Sequence, residues 1–313
     1  MLNDYSPELE NAVLSELENG KYNLAICDFM QSTLNFKRIK DLPILLFQHN
    51  VEAAIAQRHM QRAKDPLMRT FWWLQFKKMF FHEKQQCHRF DSVIAVSEND
   101  KKLMESWYKA DNVYEIPTGV DTEFFAPQTK QPEKRKLLFV GAMDWLPNHD
   151  AMLYFLEKIW PLIRKKAPDT EFTIVGKNPS PKLQRIAAEL SNVTVTGWVD
   201  DTRPYIAESA VFIVPIRIGG GTRMKIYQGM SMEKAIVSTT IGAEGLPLIP
   251  GKHIIIADSD KDFANEVIQL LENEIERKNL GDAARQYVYE NFRWEKVADV
   301  FIDVCHKTSN GKA

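Results

Sequence analysis

Apolar residues in the second half of the chain form short runs that alternate with stretches of helical spacing. Runs of strand character cover residues 136–141, 171–176, 193–197, 210–216, 235–240 and 253–258. Apolar positions three and four residues apart predict helices over 151–165, 181–190, 202–208 and 224–232. Strands that alternate with helices are typical of a parallel sheet. The pattern therefore predicts an α/β fold with a doubly wound sheet, whose ligands bind beyond the carboxyl ends of the strands.

The first half has the same pattern in a shorter form. Strand-like runs cover 22–29, 43–50, 92–97 and 113–117, and one long helical stretch, 51–90, separates the second run from the third. A polar segment with two prolines, 120–135, is typical of an interdomain linker. We therefore expect a first domain over 1–127, a second over 128–290, and a final helix, 291–313, that packs back towards the first domain.

Three consecutive glycines separate a predicted strand from a predicted helix. The loop and first helical turn contain Gly219, Gly220, Gly221, Thr222, Arg223 and Lys225. Glycine lets the backbone approach a ligand closely, and a helix N-terminus offers unpaired N–H groups. The two cations oppose the helix dipole, so a bound anion is the natural reason for their position. The loop therefore predicts a phosphate site; the alternative is a flexible surface turn with two solvated cations.

Length and composition limit the class of protein. The 313 residues suit two domains, and the formal charge of −2 argues against a nucleic-acid partner. The three cysteines show neither pairing nor metal-ligand spacing, which is typical of a reducing compartment. No apolar run approaches the length of a membrane span, and the acidic N-terminus is unlike a signal peptide. We expect a cytoplasmic protein, or one that is peripheral on the inner membrane face.

A series of short motifs runs along nearly the whole chain. The motifs are 46–52, 94–98, 116–121, 139–141 with 147–148, 197–201, 219–225 and 241–246. Each is weak alone, but the ordered series resembles the retaining glycosyltransferases of family four, which have the GT-B fold and build bacterial polysaccharides. The resemblance implies two Rossmann-like domains with parallel sheets facing across a cleft, the N-terminal one incomplete here.

The resemblance also implies an activity and its residues. A sugar would move with retention from a UDP- or GDP-linked nucleotide-sugar to a saccharide or lipid-linked acceptor, with no metal and no other cofactor. Besides the loop at 219–225, the implied donor-binding residues are Gly141, Asn148, Gly176, Lys177, Gly197, Val199 and Gln228. His49, on the acceptor side, and Glu244, facing the donor sugar, are the implied catalytic residues. Asp200 and Asp201 resemble a metal-binding pair, but we interpret them as helix-capping residues.

Three departures from the family pattern change these expectations. Gly220 and Gln228 stand where family members usually carry glutamates, so weaker or altered ribose binding is expected. The segment 143–148 replaces an Arg and a Lys, which shifts the phosphate contacts to Arg223 and Lys225. The Gly-rich N-terminal loop has no counterpart, and two or three βαβ units, roughly 60–90 residues, are expected to be missing. We therefore expect a truncated chain or a completing partner, with poor catalysis and self-association.

Simpler roles remain open for individual residues. His49 follows an apolar strand, where it can bind a sugar hydroxyl or help to deprotonate an acceptor, but it can also cap the next helix. Glu52 fits a favourable first-turn carboxylate as well as a site residue. Glu244 can be a solvated loop carboxylate.

Residues 51–90 combine eight cations with three acids and interleaved aromatic residues. This composition suits an anionic membrane surface, where a lipid-linked acceptor would lie. It also suits a core helix with a solvated basic face, or aromatic residues left exposed that drive self-association. Two other functions remain open for the whole chain: a nucleotide-sugar epimerase with the GT-B fold, and a non-catalytic nucleotide-sugar-binding module or subunit.

Overall fold

The chain forms two compact units. The computed structural model describes residues 5–128, 135–218 and 224–311, except for the side chain of Arg62. Unit 1 comprises Met1–Thr118 and Glu295–Ala313, and unit 2 comprises Gly119–Trp294. Unit 1 is therefore built from two separate parts of the chain, and residue 127, where we placed the end of the first domain, lies within unit 2.

Unit 1 contains a parallel sheet covered by helices. Its elements are α1 (Pro7–Asn19), β1 (Ala25–Asp28), a 3₁₀ helix (Met30–Phe36), β2 (Ile44–Gln48), α2 (Glu52–Arg62), α3 (Pro66–Arg89), β3 (Ser92–Ala95), α4 (Glu98–Tyr108) and β4 (Val113–Glu115). The strands follow the order β1-β2-β3-β4, and every pair is parallel. Because neighbouring strands are consecutive in sequence, the carboxyl ends of β1 and β2 lie side by side.

Unit 2 alternates strands and helices over most of its length. Its elements are β5 (Lys136–Val140), α5 (Leu146–Tyr154), a π-helical turn (Phe155–Ile159), α6 (Trp160–Lys166), β6 (Glu171–Val175), α7 (Pro181–Glu189), β7 (Val193–Gly197), α8 (Arg203–Glu208), β8 (Val211–Val214), α9 (Met224–Ser231), β9 (Ala235–Ser238), β10 (Ile255–Ile256), α10 (Asp260–Glu272) and α11 (Glu274–Asn291). The last helix of the chain, α12 (Trp294–Asn310), returns to unit 1. The sheet order is β10-β9-β8-β5-β6-β7, again all parallel. The predicted α/β fold with parallel sheets is confirmed.

The central strands of both sheets are buried on two faces, as parallel strands covered by helices usually are. In β2, Leu46 packs with Cys27 and Val93 on one face. The neighbouring Leu45 packs on the other face, in a cluster that includes Val304 of α12. The core of unit 2 is larger and continuous, and all four residues of β8 are buried in it.

The helical stretch predicted over 51–90 differs from the structure for a local reason. The single helical stretch expected over 51–90 is two helices, because Pro66 cannot continue α2 and restricts the residue before it. The Asp65 carboxylate accepts hydrogen bonds from Leu67 N and Met68 N, at 3.3 and 3.2 Å, and so starts α3.

The predicted linker 120–135 lies within unit 2 and does not separate the two units. Val120 is buried, pairs with Arg293, and donates its N–H to Phe292 O at 2.8 Å. The strand expected over 253–258 is limited to Ile255–Ile256, and the helix expected over 151–165 begins earlier, at Leu146. Among the described helices, none combines the length and apolar character that a bilayer span requires.

Candidate active site

The order of the strands in unit 2 creates a reversal point in the sheet. From β5 the chain proceeds through β6 and β7 on one side, and then crosses to place β8 on the other side of β5. In open α/β sheets, ligands bind where this reversal occurs, beyond the carboxyl ends of the two central strands. The loop after β5 and the N-terminus of α9 meet at this edge of unit 2.

A cation is fixed at this reversal point. Lys225, in the first turn of α9, donates from Nζ to Asn148 Oδ1 at 2.7 Å. Asn148 is only 3% exposed, and its Nδ2 donates to Ala142 O at 2.9 Å, which orients the amide. The Lys225 ammonium also lies 4.2 Å from the ring centroid of Phe139 in β5. The predicted residues Asn148 and Lys225 therefore meet across the two central strands.

Two glycines after neighbouring strands permit this close arrangement. A Cβ atom at Gly141 would lie 2.5 Å from Lys225 Nζ and 2.6 Å from Asn148 Nδ2. A Cβ atom at Gly176 would lie 1.8 Å from Gly141 O, a distance that no side chain tolerates. The sequence predicts that both residues lie at a ligand-binding edge. In the structure, close packing against neighbouring atoms favours glycine at both positions.

The remaining residues that the sequence predicts to bind the donor make fewer contacts. Lys177 is exposed, and its carbonyl oxygen accepts from Met143 N at 2.9 Å. Gly197 ends β7 with a φ of 74° and has open space on its Cα. Val199 is half-buried against the core, and Gln228 lies one turn after Lys225 on α9. The other residues of the predicted phosphate loop lie outside the described residues: Gly219, Gly220, Gly221, Thr222 and Arg223.

Glu244 lies in the loop after β9, which is held close to β8. Glu244 is half-buried, and its N–H donates to Ile241 O at 3.4 Å. A Cβ atom at Gly242 would lie 2.6 Å from Val214 O, so this loop also depends on glycine for its path. The loop therefore follows β9, which neighbours β8, and it lies at the edge of the sheet where β8 also ends.

Asp201, the second of the two aspartates before α8, has a structural role. Asp201 accepts from Arg203 N at 2.9 Å and forms a two-point ion pair with the Arg203 guanidinium. The hydrogen bonds from Arg203 lower the pKa of Asp201. The N-cap position itself belongs to Thr202, whose side chain makes no capping hydrogen bond. Within the described ranges, no three His, Cys, Asp or Glu side chains lie together in a way that could hold a metal ion.

His49 of unit 1 lies beyond β2 and pairs with a residue that the sequence analysis missed. Its Nε2 lies 2.8 Å from Asp28 Oδ1, at the end of the neighbouring strand β1. The imidazole stacks on Phe29 at 4.0 Å between ring centroids and also contacts Phe47 at 4.8 Å. Phe29 has a φ of 65°, a conformation that costs energy for a residue with a side chain and is often found at functional sites.

A buried carboxylate holds the chain just beyond His49. Glu83 of α3 is fully buried and accepts four hydrogen bonds. The donors are Gln48 Nε2 at 2.6 Å, Glu52 N at 2.8 Å, Ala53 N at 3.0 Å and Tyr108 Oη at 2.6 Å. Two of these donors are first-turn N–H groups of α2, so Glu83 caps the helix that follows His49. Burial raises the pKa of Glu83 to about 7, while the hydrogen bonds from Tyr108 and the two N–H groups oppose this rise.

Sequence reasoning missed Asp28, Phe29 and Glu83 for different reasons. Asp28 had a usable signal, because consecutive parallel strands place the ends of β1 and β2 together. Phe29 had no usable sequence signal, because a positive φ at a non-glycine residue cannot be recognised from the amino-acid sequence. Glu83 looked like a surface acid among lysines, and its burial depends on the packing of α3 against α2 and α4.

The two parallel-sheet units have the α/β architecture that the sequence analysis expected of a GT-B protein. Residues 5–124 match the family described as Glycosyltransferase Family 4. Residues 134–273 match the family described as Glycosyl transferases group 1. Together the two matches cover most of both units.

Two relatives show how this similarity is distributed. A protein from the cps region of Klebsiella pneumoniae, described only as an uncharacterized 44.6 kDa protein, is 22% identical over 291 residues, which cover 89% of this chain and 73% of that protein. A GDP-mannose-dependent monoacylated alpha-(1-6)-phosphatidylinositol monomannoside mannosyltransferase from Corynebacterium glutamicum is 24% identical over 238 residues, covering 68% of this chain and 61% of the enzyme.

Solved structures share the fold. TarM of S. aureus has a TM-score of 0.76 at 16% identity, over 96% of this chain and 58% of TarM. HepE of Anabaena, in complex with UDP and glucose, has a TM-score of 0.73 at 12% identity, over 97% of this chain and 82% of HepE. Structures this distant show only that the fold is shared, while the two family matches identify the chain as a glycosyltransferase, similar to family 4 in its first part and to group 1 in its second.

Proposed function

We propose that the protein is a retaining, metal-independent glycosyltransferase of polysaccharide biosynthesis. It transfers a sugar from a UDP- or GDP-linked nucleotide-sugar to a saccharide or lipid-linked acceptor. Unit 2 binds the donor, and unit 1 binds the acceptor, at a membrane when the acceptor is lipid-linked. The observation that carries this proposal is the cation held by Asn148 at the reversal point of the unit 2 sheet.

The position and chemistry of Lys225 favour a diphosphate ligand. Its ammonium is half-buried at a helix N-terminus, where unpaired N–H groups and the helix dipole already attract an anion. The ammonium donates one hydrogen bond to Asn148 and carries a full positive charge beside the helix N-terminus, which favours phosphate oxygens. We propose that Lys225 stabilises the leaving diphosphate in place of a divalent ion, together with Arg223, whose role is inferred from the sequence alone.

The identity of the nucleotide and the acceptor is proposed by analogy. The similar Corynebacterium enzyme is named as GDP-mannose-dependent and as acting on a phosphatidylinositol mannoside. The structurally similar HepE was crystallised with UDP-glucose. We therefore propose that either UDP or GDP donors fit unit 2, and that the acceptor carries a saccharide, free or lipid-linked.

On the acceptor side, we propose that His49 contacts the acceptor sugar and that Asp28 positions it. The 2.8 Å contact with Asp28 and the stacked Phe29 ring hold the imidazole in one orientation beyond the strand ends of unit 1. A carboxylate that binds one imidazole nitrogen fixes the tautomer and leaves the other nitrogen for a substrate hydroxyl. Asp28→Asn should lower kcat more than it raises the KM for donor.

The donor site is tested by calorimetry with UDP, GDP and their hexose conjugates in the presence of EDTA. We expect one of the nucleotides to bind without metal. Lys225→Met should weaken its binding by about 1.5–3 kcal/mol, the value of a hydrogen bond to a charged group. Lys182→Met, on the exposed face of α7, is the matched control and should bind like the wild type. Equal affinity in Lys225→Met and the wild type would exclude this site.

Product analysis distinguishes the three candidate functions. A transferase forms a new glycoside whose anomeric configuration matches the donor, which NMR of the product reports. An epimerase releases nucleotide and an epimerised sugar without any acceptor. A non-catalytic module binds nucleotide but gives neither product with any acceptor from the polysaccharide pathway, which would contradict the proposed transfer.

A further inference from the structure

Helix α3 exposes a stripe of large apolar side chains. Leu67, Phe71, Leu74 and Phe81 are spaced four, three and seven residues apart, so they share one face of the helix. Their exposed fractions are 80%, 46%, 54% and 64%. At about 1.5 Å per residue, the stripe is about 21 Å long. We call Leu67, Phe71, Leu74 and Phe81 the apolar stripe.

The opposite face of α3 is already packed within unit 1. Trp72 stacks on His59 of α2 with ring centroids 4.3 Å apart. The ring centroids of Phe80 and Tyr108 of α4 lie 5.3 Å apart. Glu83, about half a helical turn from the apolar stripe, is fully buried. The helix is therefore apolar on two faces, of which the core uses one. Contiguous exposed apolar surface of this kind marks an interaction site.

The charged side chains on the exposed side of α3 are of one sign. Lys78 lies within the stripe, Lys77 and Lys84 lie along its flank, and all three are exposed. Glu83 is the only acidic residue between Pro66 and Arg89, and it is buried. The solvent-facing side of α3 therefore carries positive charge that no carboxylate of the same helix offsets.

We propose that this face of α3 binds peripherally to the surface of an anionic bilayer. The rings and leucines of the apolar stripe would enter the boundary between headgroups and acyl chains, and the lysines would bind lipid phosphates. A second copy of the chain is a poorer occupant, because a symmetric contact would bring the same cluster of lysines together. This inference rests on the proposed function in one respect: a lipid-linked acceptor would explain why the protein binds a membrane.

The test measures co-sedimentation of the full chain with vesicles, without donor or acceptor. Wild-type protein should sediment with vesicles of phosphatidylcholine mixed with phosphatidylglycerol, and not with phosphatidylcholine alone. Phe71→Ser combined with Leu74→Ser should weaken binding at least about tenfold, since two inserted side chains are lost. Lys77→Gln combined with Lys78→Gln should weaken it by about tenfold or more, since each lysine near an anionic surface contributes about fivefold.

Ile275→Ser is the matched control. Ile275 is 75% exposed on α11 and lies far along the chain from the apolar stripe, so its loss should leave vesicle binding unchanged. Far-UV circular dichroism and nucleotide calorimetry of each variant check the folding of both units. Equal nucleotide affinity in Lys225→Met and the wild type, together with intact vesicle binding, would count against the proposed function alone.

Three results would overturn the membrane proposal. One is the absence of wild-type binding to both kinds of vesicle. Another is equal binding by the wild type and by the two double variants. The third is a dimer in light scattering that the Phe71→Ser and Leu74→Ser changes dissociate, because the apolar stripe would then be a contact between copies of the chain.

Discussion

The buried carboxylate of Glu83 should make the stability of unit 1 depend on pH. Burial raises the pKa of Glu83 from 4.5 to about 7. The folded state therefore binds a proton that the unfolded state releases at lower pH. The free energy of unfolding should be highest below pH 4.5 and should fall as the pH rises towards 7. At about 1.4 kcal/mol per pH unit, the loss between pH 5 and pH 8 is about 2–3 kcal/mol.

Glu83→Gln removes the titrating group and replaces one carboxyl oxygen by an amide NH₂, which donates hydrogen bonds and does not accept them. The amide has one acceptor oxygen, whereas the carboxylate accepts from four donors. At least one buried donor loses its acceptor, at a cost of about 1–3 kcal/mol. We expect Glu83→Gln to be less stable than the wild type at pH 5 by about this amount, and to approach or exceed the wild type at pH 8.

Hydrogen exchange detected by mass spectrometry reports this effect locally. Peptides that contain Glu52 and Ala53 should be protected less at pH 8 than at pH 5 in the wild type, after correction for intrinsic exchange. The difference should be much smaller in Glu83→Gln. Urea unfolding at the same pH values gives the global free energy, and Glu18→Gln, on the exposed face of α1, is the control. A constant difference between Glu83→Gln and the wild type from pH 5 to pH 8 would refute the reasoning.

Three further changes test other parts of the molecule. Gly176→Ala would place a Cβ atom 1.8 Å from Gly141 O. We expect the free energy of unfolding in urea to fall by about 1–3 kcal/mol and nucleotide binding to weaken. Wild-type values in both assays would contradict this prediction. Burial lowers the pKa of Lys234 to about 8, so the unfolded state binds more protons and the free energy of unfolding should rise from pH 8 towards 10.5. Lys234→Met should lack this rise, and the same slope in both proteins would count against it. Gln228→Glu should tighten nucleotide binding in calorimetry through stronger bonds to the ribose hydroxyls, and an equal gain with a deoxyribose nucleotide would place Gln228 elsewhere.

The sequence predicted the architecture of unit 2 well because its strands are uniformly apolar. Val211–Val214 is buried at every position, so periodicity and composition agree that it is a strand. The break between α2 and α3 was missed although Pro66 marks it, because apolar and aromatic residues continue on both sides. Val120 was assigned to a linker from its polar neighbours, whereas its burial depends on pairing with Arg293, far along the chain.

The candidate site could be predicted only where it depends on local sequence. Gly141 and Gly176 end strands, and Lys225 begins a helix, so their place at the ligand-binding edge follows from the order of elements. The contact between Lys225 and Asn148 depends on which strands are neighbours, because the order β8-β5-β6 brings distant segments together. The pairing of His49 with Asp28 was missed although β1 and β2 are consecutive, because the residues that end these two strands were not considered together.

The discontinuity of unit 1 has a consequence for the order in which the protein folds. Thr308 of α12 donates to Ser92 of β3 at 2.7 Å, so unit 1 needs both ends of the chain. Closing a disordered loop as long as unit 2 costs on the order of 4–5 kcal/mol in chain entropy. Val120 and Arg293, near the two ends of unit 2, are already paired in its fold. A folded unit 2 therefore brings residues 118 and 295 close together, and the remaining loop closure becomes short.

We infer that unit 2 folds first, as a continuous segment, and that α12 then docks and completes unit 1. During synthesis, unit 1 could not be completed before α12 leaves the ribosome, and the side of its sheet that packs against Val304 would stay uncovered until then. Removal of α12 should therefore leave unit 2 able to fold and should make unit 1 the part of the protein that aggregates.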